Sequence, residues 1–346
     1  MIRVLVVDDS AFIRKVICRI LEKDPGIQVV GTADNGINAL EQIEALRPDV
    51  VTMDVEMPRM NGIEALKKIM STKPLPVIML SGITQEGANI TLDALNMGAC
   101  DFITKDSGNA GVGLFKIEGE LLRKIKDVAR RRVRLPAPKP EIHTQKRPLA
   151  ERSVPASHGD HHIVSLGAST GGPPALQHIL TSLSSSFPVP LVIAQHMPKL
   201  FTQSFAERLN HLCQITVKEA ENREPLKPGT ALIAPGDSHM AVRRKGKETF
   251  VELVSDDRYI YRPSVDLLMD SVARTYESKV VAVILTGMGS DGLAGFREIK
   301  SRQGYVIAQD EETCVVYGMP RVVIEAHLAN AVLPIQKIPE EIVKVL

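Results

Sequence analysis

Short apolar runs, each closed by a polar residue and followed by a segment of helical period, recur along most of this chain. "IRVLVV" ends at Asp8-Asp9, "PDVVTMD" at Asp54, "PVIMLS" at Ser81 and "DFITK" at Lys105. Between the first two runs, Ile13, Val16, Ile17, Ile20 and Leu21 recur at i, i+3, i+4, i+7, i+8, one face of a helix. "GINALEQIEAL", "GIEALKKIM" and "ANITLDALNMG" read as further helices, and a last one carries Leu121, Leu122, Ile125 and Val128. Strands apolar along their whole length are covered on both faces, and alternating helices do the covering. The pattern therefore predicts an α/β doubly wound parallel sheet of five strand-helix units, flavodoxin-like, in the N-terminal part.

The alternation resumes later. "HIVSLGAS", "PLVIAQHM", "TALIAP", "KVVAVILTGMGSDG" and "GYVIAQD" read as strands, and "ALQHILTSL", "SFAERL", "VDLLMDSVARTY" and "GFREIKSR" as helices. "MAVRRKGKETFVELV" reads as a hairpin turning near Lys245-Gly246. A second, mostly parallel Rossmann-like α/β sheet with a β-hairpin is expected. Between the sheets, from about Arg130 to Asp160, the pattern breaks: "RRRVR" leads into Pro136, Pro138, Pro140, Pro148 and Pro155 with few large apolar residues. Such a stretch cannot bury enough surface to offset its chain entropy and reads as a linker. The expected division is 1–125, a linker over 126–158, and 159–346.

Composition removes some functions. The net charge of +1 gives no basic field for nucleic acid, and no aromatic residues interleave with the "RRRVR" run. Cys18, Cys100, Cys213 and Cys314 are scattered with no C-x-x-C pair, which argues against a metal cluster or disulfide framework and suits a reducing compartment. No apolar run nears the roughly 20 residues of a membrane span, and the N-terminus lacks the shape of a signal peptide. No membrane insertion and a cytoplasmic location are expected.

In a parallel sheet, strand C-termini share one edge, where ligands collect. Asp8, Asp9 and Asp54 would converge there with Ser81 and Lys105. Three such carboxylates repel unless a hard cation neutralises them, and oxygen donors with open positions suit Mg²⁺. A neighbouring lysine completes a site for a phosphoryl group carried on a carboxylate. "VLVVDDS", "PDVVTMDVEMPRMNG", "VIMLSG" and "FITK" resemble the receiver domain of two-component response regulators. The resemblance implies phosphorylation of Asp54 by a histidine kinase, and Mg²⁺ arranged by Asp8, Asp9, Asp54 and the Glu56 carbonyl. It makes Ser81 and Lys105 the phosphoryl contacts and Phe102 the aromatic switch residue. Receivers usually carry proline after the lysine; here it is Asp106.

"GASTGG", residues 167–172, is the tightest turn of the second half. Its G-x-S-x-G pattern can expose a serine nucleophile, its helix start can cradle a phosphate, or it can serve as a plain corner. No Walker lysine accompanies it, and the spacing is not G-x-G-x-x-G. A nucleophilic serine needs a base. His196 ends the next apolar strand, and Asp291 follows another through a glycine-rich turn, so Ser169, His196 and Asp291 can meet at one edge. His239 is the rival base, and His178 reads as a surface or capping residue. The order Ser, His, Asp departs from the α/β-hydrolase order. No helix-turn-helix pattern follows residue 160, so the output of the receiver reads as enzymatic.

Together, "SLGASTGGPPAL", "IAQHMP" and "LTGMGSDGLAG" resemble the catalytic domain of the chemotaxis response-regulator methylesterases. That resemblance implies hydrolysis of γ-glutamyl methyl esters on the cytoplasmic helices of chemoreceptors, with glutamine deamidation in many members. It makes Ser169 the nucleophile, His196 the base and Asp291 its orienting acid. The Met288 N–H becomes the oxyanion donor with Thr170 assisting, and no cofactor is needed in the esterase site. It further implies that the unphosphorylated receiver covers the active-site mouth.

Overall fold

The computed structural model describes residues 1–82, 84–105, 118–129 and 162–346; Asp106 and the basic, proline-rich stretch lie outside the described residues. The N-terminal unit runs β1 (Ile2–Val7), α1 (Ala11–Glu22), β2 (Ile27–Ala33), α2 (Gly36–Leu46), β3 (Val50–Asp54), α3 (Gly62–Thr72), β4 (Val77–Gly82), α4 (Gln85–Met97), β5 (Asp101–Lys105) and α5 (Glu118–Ala129). Its strands are all parallel in the order β2-β1-β3-β4-β5. Every residue of β3 is buried, as a run with helices on both faces requires. Side chains set the helix starts: Asn61 and Glu64 form a capping box at α3, and Thr84 caps α4. Residue 125 falls inside α5, which continues to Ala129 with both Ile125 and Val128 buried.

The second unit runs β6 (Ile163–Ala168), α6 (Gly172–Thr181), β7 (Leu191–Gln195), α7 (Lys199–Leu212), β8 (Thr216–Glu219), β9 (Thr230–Ile233), β10 (His239–Lys245), β11 (Glu248–Val254), α8 (Val265–Tyr276), β12 (Val280–Ile284), α9 (Leu293–Ser301), β13 (Tyr305–Gln309), α10 (Met319–Glu325), β14 (Ala331–Leu333) and α11 (Ile338–Val345). Seven strands form one sheet, β14-β13-β12-β6-β7-β9-β8, with every neighbouring pair parallel. Antiparallel pairing is found in the β10-β11 hairpin, which turns through Gly246 at φ +63°, and in a bridge from Pro225 to Phe250 on its β11 side. The edge strands β8 and β14 are only partly buried and only four and three residues long, too short for periodicity to announce them.

Both sheets reverse winding direction once: between β1 and β3, and between β6 and β12. An open crevice forms at each reversal, beyond the strand C-termini. The units also touch each other. Phe102 of β5 stacks on Phe201 of α7, centroids 4.4 Å apart. Met288 and Val316 join the apolar cluster built around Leu121 and Ile125 of α5.

Candidate active site

At the first crevice, Asp8 and Asp54 are buried and Asp9 is exposed, and one carboxylate oxygen of each lies within 4.8 Å of the others. Lys105 Nζ sits 2.6 Å from Asp54 and 3.2 Å from Asp8. Burial raises the Asp54 carboxyl to about 6 even with the lysine ammonium beside it, and Asp8 is raised for the same first reason. Lys105 loses hydration by burial, yet the two carboxylates hold its pKa above the ordinary lysine value. One ammonium among three carboxylates leaves negative charge over. An all-oxygen donor set carrying that excess fits a divalent hard cation. Ser81 is buried at the end of β4. Its hydroxyl accepts from Thr91 Oγ1 at 2.8 Å and lies 3.3 Å from the Gly87 carbonyl, both on α4.

At the second crevice, Ser169 follows β6, His196 follows β7 and Asp291 follows β12. The turn after β6 needs glycine twice. Gly171 sits at φ +76°, and a Cβ on Gly172 would stand 1.9 Å from Gln195 Oε1. Gln195 uses that closeness: its Nε2 donates to the carbonyls of Ser169 and His196 at 3.0 and 3.1 Å. His196 and Asp291 meet, Nε2 to Oδ2, at 2.8 Å. Asp291 also accepts from Ser264 Oγ at 3.1 Å, Val265 N at 2.8 Å and Asp266 N at 3.0 Å. These donors are the cap and first residues of α8, so an orphaned helix start solvates the buried carboxylate. Burial alone would raise its pKa. The His196 hydrogen bond and charge, with the two backbone N–H groups, hold it below the ordinary value.

His196 Nδ1 is buried and has no hydrogen-bond partner among the described residues. Ser169 lines the same cavity of about 360 Å³ as His196, Thr170 and Met288. No hydrogen bond joins the serine hydroxyl to His196. Catalytic hydrogen bonds are often long before substrate binds. Gly287 packs on Ser169, where a Cβ would approach the serine Cβ to 2.8 Å, so the Met288 turn lies against the serine turn. His239, the rival base, is fully buried with both ring nitrogens engaged: Nδ1 accepts from Ser264 N and Nε2 contacts the Asp256 carbonyl, each at 3.1 Å. It fixes the loop before α8. His178 lies on the exposed side of α6.

The cavity has a second wall, made of Asp101, Phe102, Thr104, Glu120, Arg123 and Lys124 from the N-terminal unit. Thr170 donates its hydroxyl to Asp101 across the boundary. Asp101 is itself held by Lys124 at 3.1 Å, and Lys124 donates to the Phe102 carbonyl at 2.7 Å.

Residues 164–342 match the family model described as CheB methylesterase. The chain belongs to the CheB methylesterase family. Residues 4–112 match the response regulator receiver domain. The protein-glutamate methylesterase/protein-glutamine glutaminase of Lawsonia intracellularis is 46% identical over 355 residues, spanning 100% of this chain and 99% of its own. The Thermotoga maritima protein of the same name is 47% identical over 346 residues, 100% and 98% of the two chains. The crystal structure of the Thermotoga maritima CheB methylesterase catalytic domain aligns at 48% identity with TM-score 0.53, covering 54% of this chain and 99% of that one.

Set in this family, the chain carries functional contacts that sequence reasoning missed. Gln195 braces the serine and histidine backbones, and Ser264 caps α8 while holding Asp291. Asp101 takes the Thr170 hydroxyl, and Tyr261 stacks on His196. Gln195, directly before His196, was the one with a sequence signal: a polar residue closing an apolar strand.

Proposed function

We propose that this chain is a phosphorylation-controlled hydrolase. It removes methyl groups from γ-glutamyl methyl esters on chemoreceptor helices, deamidates receptor glutamines at the same site, and so serves chemotactic adaptation in the cytoplasm. The observation that carries the reading is a part-buried His196–Asp291 pair with Ser169 and an unpartnered Nδ1 in one cavity, walled on its other side by a receiver.

Ser169 Oγ attacks the ester carbonyl as His196 Nδ1 takes its proton. Asp291, on Nε2, holds the ring in the tautomer with Nδ1 free and steadies the imidazolium. The carbonyl oxygen becomes an oxyanion near the Met288 N–H, which among the described residues donates to no backbone carbonyl. Collapse of the tetrahedral intermediate passes the proton to the methoxy group, and methanol leaves. Water then donates a proton to Nδ1 while attacking the glutamyl-serine ester. The second collapse returns the proton to Ser169 and frees the glutamate as its carboxylic acid, which ionises to the carboxylate by losing its proton to water. With a glutamine side chain the first leaving group is ammonia.

In the receiver, Asp54 takes the phosphoryl group from a histidine kinase, and Lys105 pairs with its oxygens. Asp8, Asp9, Asp54 and the Glu56 carbonyl would hold Mg²⁺, which supplies positive charge against the phosphoryl oxygens. Phosphorylation gives the Ser81 hydroxyl a charged acceptor that competes with the Gly82 and Gly87 carbonyls for its proton. Reorientation of Ser81 shifts α4 and the Phe102 strand, and the receiver leaves the mouth. Thr170, tied to Asp101 while the units are docked, is released at the same moment.

The test is methanol release from methylated chemoreceptor membranes by wild type and Ser169→Ala, with and without acetyl phosphate and Mg²⁺. Release that requires Ser169 and rises with the phosphodonor supports the reading. No release from wild type in either condition refutes it.

A further inference from the structure

We propose that Tyr261 is the residue that positions the catalytic histidine, and that its hydroxyl is where the receiver grips this part of the site. The proposal rests on the assignment of His196 as base. The Tyr261 and His196 rings lie 4.7 Å apart and 7° from parallel. His196 has one ring hydrogen bond, Nε2 to Asp291, and its Nδ1 has none. A single hydrogen bond leaves the imidazole free to turn about the Nε2–Oδ2 line, which would swing Nδ1 away from the serine. A flat ring stacked on the imidazole face removes that freedom, because turning would drive the ring edge into it.

Tyr261 is tied to the other parts of the site as well. A Cβ on Gly289 would come within 3.3 Å of the Tyr261 hydroxyl, so the phenol end rests against the turn carrying Met288. Three residues further on, Ser264 caps α8, whose first N–H groups hold Asp291. One short segment thus sets both faces of the histidine: the carboxylate on its edge and the aromatic ring on its plane. His239, which bridges Ser264 N and the Asp256 carbonyl, anchors that segment from below.

From the receiver side, Arg123 of α5 donates Nη1 to the Tyr261 hydroxyl at 2.8 Å, and its guanidinium carbon lies 5.5 Å from the ring centroid. In the docked state Arg123, Tyr261 and His196 form one series. The ring serves catalysis and the hydroxyl serves docking, so conservative and non-conservative substitutions separate the two roles.

The test uses the full-length chain in three variants, Tyr261→Phe, Tyr261→Leu and Arg123→Gln, with methanol release measured with and without acetyl phosphate and Mg²⁺. A fluorophosphonate probe, whose reaction with the serine needs no receptor, reports the nucleophile independently. Tyr261→Leu should lower phosphorylated kcat roughly 10-fold or more with KM little changed, slow probe labelling of Ser169 in parallel, and leave the melting temperature near wild type. Tyr261→Phe should restore kcat and labelling. It should also raise the unphosphorylated rate several-fold, as Arg123→Gln does, and the double variant should rise no further than either alone. A Tyr261→Leu enzyme with wild-type kcat and labelling, or a Phe variant as slow as the Leu variant, overturns the positioning role. An unphosphorylated rate raised by Arg123→Gln but not by Tyr261→Phe overturns the docking role. If wild type labels at Ser169 but releases no methanol, the substrate assignment fails, while the labelling series still decides the role of Tyr261.

Discussion

Removing the Phe102 ring should open the enzyme without phosphorylation. Phe102 is 5% exposed and lies flat on Phe201, which is fully buried with the two units together. Stacked aromatic pairs contribute about 1 kcal/mol beyond area burial. Apolar surface hidden between the two rings adds to this, each roughly 40 Å² contributing about 1 kcal/mol at ~25 cal/mol/Å². The rest of the ring stays against the receiver whether or not the units are docked, so it cancels. Phe102→Ala should therefore weaken docking by roughly 2 kcal/mol, which raises the undocked-to-docked ratio about 30-fold. The assay is methanol release without phosphodonor, with the isolated fragment 162–346 as the ceiling. The unphosphorylated rate should rise toward that ceiling, and acetyl phosphate should add correspondingly less. Phe201→Ala should behave alike, and the pair together should give less than the sum, since both remove one contact. An unphosphorylated rate equal to wild type, in a variant that melts normally and still responds fully to acetyl phosphate, would refute the view that this stack holds the receiver in place.

Other outcomes follow from the same geometry. Ser169→Ala should reduce methanol release by roughly 10⁴-fold or more, and Asp291→Asn by less, as in other triads measured residue by residue. Asp54→Asn, or removal of Mg²⁺ by a chelator, should abolish stimulation by acetyl phosphate, and the chelator should leave the activity of fragment 162–346 untouched. Asp291 has a carboxyl pKa held below its ordinary value in the folded chain, so its stabilisation is complete above about pH 4 and is lost as pH falls through the folded value. Melting curves across the acid range should show that loss in wild type and a shallower one in Asp291→Asn.

Much of this architecture could be read from the sequence because strand and helix periods alternate through most of each unit. "IRVLVV", "VVTMD" and "VIMLSG" are apolar throughout, and only a sheet covered on both faces accommodates them. The strand-end residues Asp8, Asp54 and Lys105 meet as expected, and so do His196 and Asp291, because parallel strands place all their C-termini on one edge. The edge strands "TVKE" and "AVL" were not legible, since four and three residues are too few to display a strand period. Neither was the cradle around Asp291. Ser264 looks like any helix cap until the chain brings β12 alongside α8, and nothing in "DRYIYRP" says which tyrosine faces the histidine. The Asp101–Thr170 contact was hidden for the same reason: two separately folded sheets have to meet before it exists. The partners of the Ser81 hydroxyl, the Thr91 hydroxyl and the carbonyls of Gly82 and Gly87, were likewise not legible, since they depend on how α4 packs beside β4.

The receiver wall of the catalytic cavity belongs to the same polypeptide as the serine it covers. A tethered inhibitor acts at an effective concentration on the order of millimolar, set by the tether and not by how much protein the cell makes. Dilution cannot strip it off, and overproduction cannot tighten it. The fraction of open enzyme then depends only on the fraction phosphorylated, so the output of a cell with few copies and one with many scales in proportion to copy number, with the same response to the kinase.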